Sequence, residues 1–479
     1  MKNGIFFSTM FSIFVSIYCA VYTNNTEYEY IFLWPLAMVF IQIYLYLKKI
    51  KSISIFIVTI VSYIKFTVMP FVIVKTNSYS LELLQRNETS YYIKAIFLEL
   101  YCLIALYFFL ILFNKLFIKP KVKNANHNNI SVIGDRYIYF FIFIISIILF
   151  IFVAVPNNLL SLFVIRVNND GRRLDENIPL NYMVIRQFIV CSFNLVFIYI
   201  VFRYQKIYVN NSKLIYIFFP LLFAILNIGL ITGERRSLQI YTALTCISIL
   251  FLYFKNHRKF VIYFITLFST FILLGMTIYK HLNAFVYSSY TKAIQVAITT
   301  GKDATGWGLA NTMQVYFYGP QSISTALAFT DLQNSIFKQL VFDLSRSTIG
   351  ISFFVKEKGV LLSAKYNHFL FNSNSVDTGH IIPNSVYGYT FFGFLFAPIF
   401  FIICALIVTI LEKTFLENKY VEIKFVSIFI LYRMCVDIYS NFPQTLSVAT
   451  LVALSYFTIL ICIVLIKRLI PTKNIKVKV

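Results

Sequence analysis

The sequence predicts an all-α polytopic membrane protein of about 12 transmembrane helices, with one long extracytoplasmic loop containing interfacial helices. Three observations carry that expectation. The 479 residues are 59% hydrophobic and only 13% charged, with a mean hydropathy of +0.77, which is too little polar surface to cover a soluble chain of this length. Continuous apolar runs of about 20 residues, enough to cross a hydrocarbon core of about 30 Å, recur from end to end. These runs do not alternate apolar with polar residues, which excludes a transmembrane barrel.

In chain order the expected spans fall at 4–22, 30–47, 53–74, 91–114, 137–155, 182–202, 214–232, 238–254, 260–279, 385–411, 424–441 and 445–466. The first follows Lys2, lacks a small-x-small cleavage site and precedes many more spans, so it reads as an uncleaved helix and not as a signal peptide. The connections then alternate in character. One side takes the N-terminus, 48–52, 115–136, 203–213, 255–259, 412–423 and the tail from Lys467. It holds roughly three times the Lys and Arg of the short connections opposite, at 23–29, 75–90, 156–181, 233–237 and 442–444, which carry seven. The positive-inside rule makes the basic side cytoplasmic, with both termini inside a bacterial inner membrane. The chain thus divides into nine spans over 1–279, a large periplasmic loop over 280–384, and three spans with a cytoplasmic tail over 385–479. In that loop Phe337, Leu340, Val341, Leu344 and Ile349 stand near helical spacing, which predicts interfacial or re-entrant helices and no independent soluble domain. A loop this long is more often functional than decorative.

The net charge of +23 does not point to nucleic acid, because most Lys and Arg sit in short tracts between apolar runs, such as Lys48-Lys49-Ile50-Lys51. Such tracts fix topology and touch anionic lipid headgroups. All seven cysteines fall inside apolar runs with no CxxC pair, which suggests packing residues and neither disulfides nor a metal site.

Chemistry is expected on the face opposite the cytoplasm, where arginines oppose the topology rule. The connection 156–181 carries Arg166, Arg172 and Arg173, and the turn Thr232-Gly233-Glu234-Arg235-Arg236-Ser237 carries two more. Guanidinium forks bind phosphate bidentately, and a helix opening at Gly233 would add free N–H groups and a favourable dipole. A lipid-linked phosphate or pyrophosphate suits both clusters. Local pairing with Asp170, Asp175, Glu176 and Glu234, or contact with headgroups, is the plainer alternative. A second polar stretch ends the long loop, where Asp377 precedes His380 just before a span. A neutral histidine oriented by a carboxylate would remove a proton from a sugar hydroxyl, and a surface histidine in a polar loop is the alternative. Within the spans Arg433 and Asp437, at i and i+4, are expected to form a buried structural ion pair, with a substrate contact as the alternative. Lys65, Lys94, Glu99 and Arg186 are expected to snorkel toward the outer ends.

These stretches resemble the O-antigen polymerases of the Wzy type. The resemblance rests on the 232–237 turn, on His380-Ile381-Ile382-Pro383-Asn384-Ser385-Val386-Tyr387-Gly388, and on Phe392-Gly393-Phe394-Leu395. It departs from some relatives at Tyr389, where they carry an acidic residue. The resemblance implies a metal-independent glycosyltransferase without cofactor that joins repeat units carried on undecaprenyl pyrophosphate. It implies Arg166, Arg172, Arg173, Arg235 and Arg236 as pyrophosphate ligands, His380 with Asp377 as base, and Glu234 as the fallback base. The implied partners are the lipid-linked glycan donor and acceptor, membrane lipids, a chain-length regulator and a flippase. An O-antigen ligase or a flippase for lipid-linked oligosaccharide remains the rival reading.

Overall fold

A computed structural model of the protein describes residues 2–79, 89–118, 131–153, 180–230, 236–281, 309–332, 337–355, 359–371 and 381–469. These residues are almost entirely helical, with no strand among them. Seven helical stretches among them are long and apolar enough to cross a membrane: Gly4–Tyr22, Thr26–Lys48, Ile53–Thr76, Tyr92–Phe117, Gln187–Asn211, Ile399–Glu417 and Phe442–Arg468. Arg136–Leu149, Ile215–Gly229 and Leu238–Tyr253 are shorter apolar helices. Large apolar side chains such as Phe7, Leu47 and Phe271 stand on the exterior, as they do where lipid is the solvent.

The chain forms two compact units. The first comprises Met1–Pro120, Thr305–Lys413 and Arg433–Thr450. It opens with α1 (Lys2–Tyr22), a 3-10 turn over Thr26–Phe32 and α2 (Leu33–Lys48). Next come α3 (Ile53–Tyr63), a π-helical segment over Ile64–Val68, and α4 (Met69–Thr76) in unbroken succession. Ser52 caps α3 by accepting from the Ile55 amide, and Lys49 and Asn77 end α2 and α4 in left-handed conformation. The long helix α5 (Tyr92–Phe117) packs on α2.

The second unit comprises Lys121–Ala304, Thr414–Tyr432 and Leu451–Val479. In it α6 (Arg136–Val153) packs on α7 (Leu180–Asn211), and α8 (Ile215–Leu230), α9 (Arg236–Tyr253) and α10 (Arg258–His281) pack on one another. Its one buried carboxylate among the described residues, Glu422, accepts from the Ile133 amide at 2.7 Å and from the Tyr139 hydroxyl.

Returning to the first unit, the connection after α10 contributes α11 (Leu309–Tyr316), α12 (Pro320–Asp331), α13 (Phe337–Ser347) and α14 (Leu362–Phe371). The amphipathic pattern seen from Phe337 is realised as α13, and Ile349 lies past its end. Pro320 opens α12, where its missing N–H leaves nothing unsatisfied. That helix is buried along nearly its whole length and packs on α5, so this stretch is part of the unit's core and no separate domain. Its polar residues bond back to their own helix: Ser324 and Thr325 donate to the Gln321 carbonyl, and Thr330 to that of Ala326.

The expected single span at 385–411 is two helices, α15 (Asn384–Phe396) and α16 (Ile399–Glu417). In an unbroken helix Gly388 and Ala397 would lie about 14 Å apart along the axis. Here a Cβ on Gly388 would stand 2.0 Å from the Ala397 carbonyl oxygen, so the chain doubles back. Gly393, at φ +69°, provides the reversal, a conformation that L side chains rarely adopt. The last helices are α17 (Val421–Val436) and α18 (Phe442–Leu469).

Candidate functional site

Most of the residues nominated from sequence lie outside the described residues: Arg166, Arg172, Arg173, Glu234, Arg235, Asp377 and His380. Arg236 is the first residue of α9, so a helix does begin within the 232–237 stretch. The stretch that follows His380 is described in full, and it is wired into the first unit.

At the start of α15 the Asn384 amide donates to the Tyr439 carbonyl at 3.0 Å, and the Asn384 side chain donates to the Ile438 carbonyl at 3.1 Å. The Ser385 hydroxyl donates to Glu99 of α5. The other oxygen of that carboxylate pairs with Lys65 Nζ at 2.9 Å. Lys65 and Glu99 are 0% and 1% exposed, so neither snorkels. Lys65 lies in the π segment that follows α3, and such segments recur at functional sites. The ammonium also lies 4.4 Å from the Tyr439 ring centroid, 5.5 Å from Phe66 and 5.9 Å from Tyr318. Two charges withdrawn from solvent are therefore held by each other, by a hydroxyl, by ring faces and by the positive end of the α15 dipole beside Ser385.

One turn along, α15 carries Tyr389, whose hydroxyl accepts from Lys94 Nζ at 2.7 Å. Lys94 lies 4.0 Å from Asp331 at the end of α12, and both are partly exposed. The Thr330 and Thr390 hydroxyls bond at 3.0 Å beside them. Pairing of Glu99 with Ser385 and of Lys94 with Tyr389 sets α5 and α15 antiparallel, with a buried pair at one level and a half-exposed polar cluster at the next. At position 389 the chain thus presents a phenol with an ammonium against it.

Comparison with family models, with curated proteins and with solved structures finds no match.

A further polar node joins three helices of the unit. Asp343 on α13 accepts from Gln339 at 2.8 Å, from the Leu362 amide at 3.3 Å and from the Tyr387 hydroxyl at 3.2 Å. Burial pushes its carboxyl above the usual range, against the opposing pull of these donors and of Lys365. Arg433 and Asp437 form the expected i, i+4 ion pair, at 2.6 Å. Sequence reasoning missed the polar partners of Ser385, Asp343 and Tyr389, which lie on other helices. For Lys65 and Glu99 the signal was present, as charges within apolar runs, and the error lay in sending them to the membrane surface.

Chemically, the buried pair has no opening to a substrate among the described residues and serves to fix the start of α15. The half-exposed cluster offers an ammonium, a carboxylate and several hydroxyls, a donor and acceptor set suited to a hydroxylated ligand.

Proposed function

We propose that this chain polymerises oligosaccharide repeat units carried on undecaprenyl pyrophosphate, acting at the periplasmic face of a bacterial inner membrane through twelve spans with both termini cytoplasmic. The observation that carries the reading is the anchoring of residues 383–388. The stretch picked out by resemblance is also where a buried ion pair of the first unit meets a helix start, and a packed helix alone has no need of Lys65 and Glu99. Fixing the start of α15 fixes the chain that leaves His380, and catalytic groups gain most from such preorganisation.

In this mechanism an acceptor sugar hydroxyl attacks the anomeric carbon of the donor glycan. The new C–O bond forms as the bond to pyrophosphate breaks. His380, oriented by Asp377, takes the hydroxyl proton, with Glu234 as the fallback base. Arg166, Arg172, Arg173, Arg235 and Arg236 hold the pyrophosphate and offset the charge it carries away. The cluster of Lys94, Tyr389 and Asp331 hydrogen-bonds the sugar. The protein works with the flippase that delivers its substrates and with a chain-length regulator.

The test is the lipopolysaccharide banding pattern after deletion of the gene from its host. Core carrying a single repeat unit supports the polymerase. Bare core overturns it in favour of a ligase or a flippase. Complementation with Arg235→Ala or Arg172→Ala, checked for insertion, should fail to restore long chains, and Arg→Lys should rescue poorly because the fork is lost.

A second reading is a transporter for lipid-linked oligosaccharide. It is favoured by the broken α15–α16 pair and the π segment at Lys65, since interrupted helices with buried charge mark many transport sites. Accumulation of lipid-linked glycan on the cytoplasmic face after deletion would select it.

A further inference from the structure

A groove runs along the first unit between α2 and α5, enclosing about 470 Å³. Ala37, Phe40 and Tyr44 line it from α2, and Ile104, Phe108 and Lys115 from α5, each set at helical spacing. Ala37 opens the space, and Phe40 and Phe108, 65% and 61% exposed, raise its rims. Its lining is apolar until the end, where Lys115 closes it. Lys48 stands four residues beyond Tyr44, on the same stripe of α2 and at the same end. Both lysines are exposed, and neither has an acidic partner among the described residues.

We propose that this groove holds one acyl chain of an anionic glycerophospholipid whose phosphate is bound by Lys48 and Lys115. Two features select that occupant. From Ile104 to Lys115 α5 rises about 16 Å, against about 15 Å for one leaflet of hydrocarbon, so a chain laid in the groove brings its headgroup to the lysines. The charge at the mouth is purely positive, which favours an anionic head over a zwitterionic one. A polyprenyl tail, several times longer than one leaflet, would leave most of its length outside.

The site is independent of the proposed polymerase activity and is read by binding alone. The full chain, extracted in mild detergent and delipidated, is titrated with phosphatidylglycerol, phosphatidylcholine and undecaprenyl phosphate under native mass spectrometry. The expected result is one tightly held phosphatidylglycerol and much weaker phosphatidylcholine. Lys48→Glu with Lys115→Glu should weaken phosphatidylglycerol at least about twentyfold, at about fivefold per lysine. Ala37→Phe, which fills the groove without touching its charge, should abolish the tight binding. Equal affinity for the two phospholipids, displacement of phosphatidylglycerol by equimolar undecaprenyl phosphate, or unchanged binding in both monodisperse variants would each overturn the proposal. The lipid comparison on the unmodified protein decides the matter even where a variant does not fold.

Discussion

Removing one member of the Lys65–Glu99 pair should destabilise the protein more than removing both. At 2.9 Å the gross attraction is about 6 kcal/mol for an effective dielectric constant near 20. Desolvation of two fully covered ions consumes much or all of it, so the pair's net contribution is small. Glu99→Gln changes that balance sharply: it leaves the ammonium of Lys65 buried with no counter-charge, at a penalty of about 3–5 kcal/mol. The Ser385 hydroxyl keeps an amide oxygen to bond, so the loss reports the charge and not the cap. Lys65→Met in the same chain removes the stranded cation and should recover most of that stability. Thermal unfolding of the detergent-solubilised protein, followed by fluorescence-detected size exclusion, reads all four corners of the cycle. A Glu99→Gln variant as stable as the parent, or a double variant no better than Glu99→Gln alone, would refute the reasoning.

Two further outcomes follow from the same unit. Gly388→Ala should abolish monodisperse protein, because its Cβ would meet the Ala397 carbonyl oxygen at 2.0 Å, whereas Gly393→Ala, strained at φ +69° and ψ −175° but with open space around it, should cost about 1–3 kcal/mol; equal effects in the same unfolding assay would contradict the doubled-back chain. For Asp343 the folded carboxyl binds its proton more tightly than the unfolded one does, so its contribution is fully present below the ordinary value of 3.8 and is lost as pH rises through the raised folded value; Asp343→Asn should flatten that part of the stability profile, and an unchanged profile would count against burial as the cause.

Helix content was legible because it rests on composition and run length, and those survive any tertiary arrangement. The Arg433–Asp437 pair was legible for a similar reason, since i and i+4 on one helix settle the distance before packing does. Lys65 and Glu99 were not, because their partner is on another helix. A lone charge in an apolar run has two remedies, the headgroup layer or a counter-charge, and only the approach of α3 to α5 selects the second. The break after α15 was hidden for a different reason. Residues 385–411 are apolar throughout, and hydropathy reads the solvent around a chain without reading its direction.

The two glycines of α15 gain a physical role from this geometry. A straight helix over 385–411 could set either Ser385 or Leu395 against the short stretch Glu99–Tyr101 of α5, because those two residues would be about 15 Å apart along its axis. The reversal at Gly393 lets both arrive: Ser385 bonds Glu99, while the Tyr101 hydroxyl donates to the Leu395 carbonyl at 2.8 Å and its ring stacks on Phe394. Gly388 permits the backbone contact that such a fold requires, and Tyr389, beside it, is thereby left at the half-exposed level with Lys94. Charge, hydroxyl and reversal therefore form a single device: the buried pair holds the helix start, the glycines return the chain, and the polar cluster between them is presented on a rigid support. A support of that kind is what a site for a hydroxylated ligand needs, and an unbroken span could not provide it.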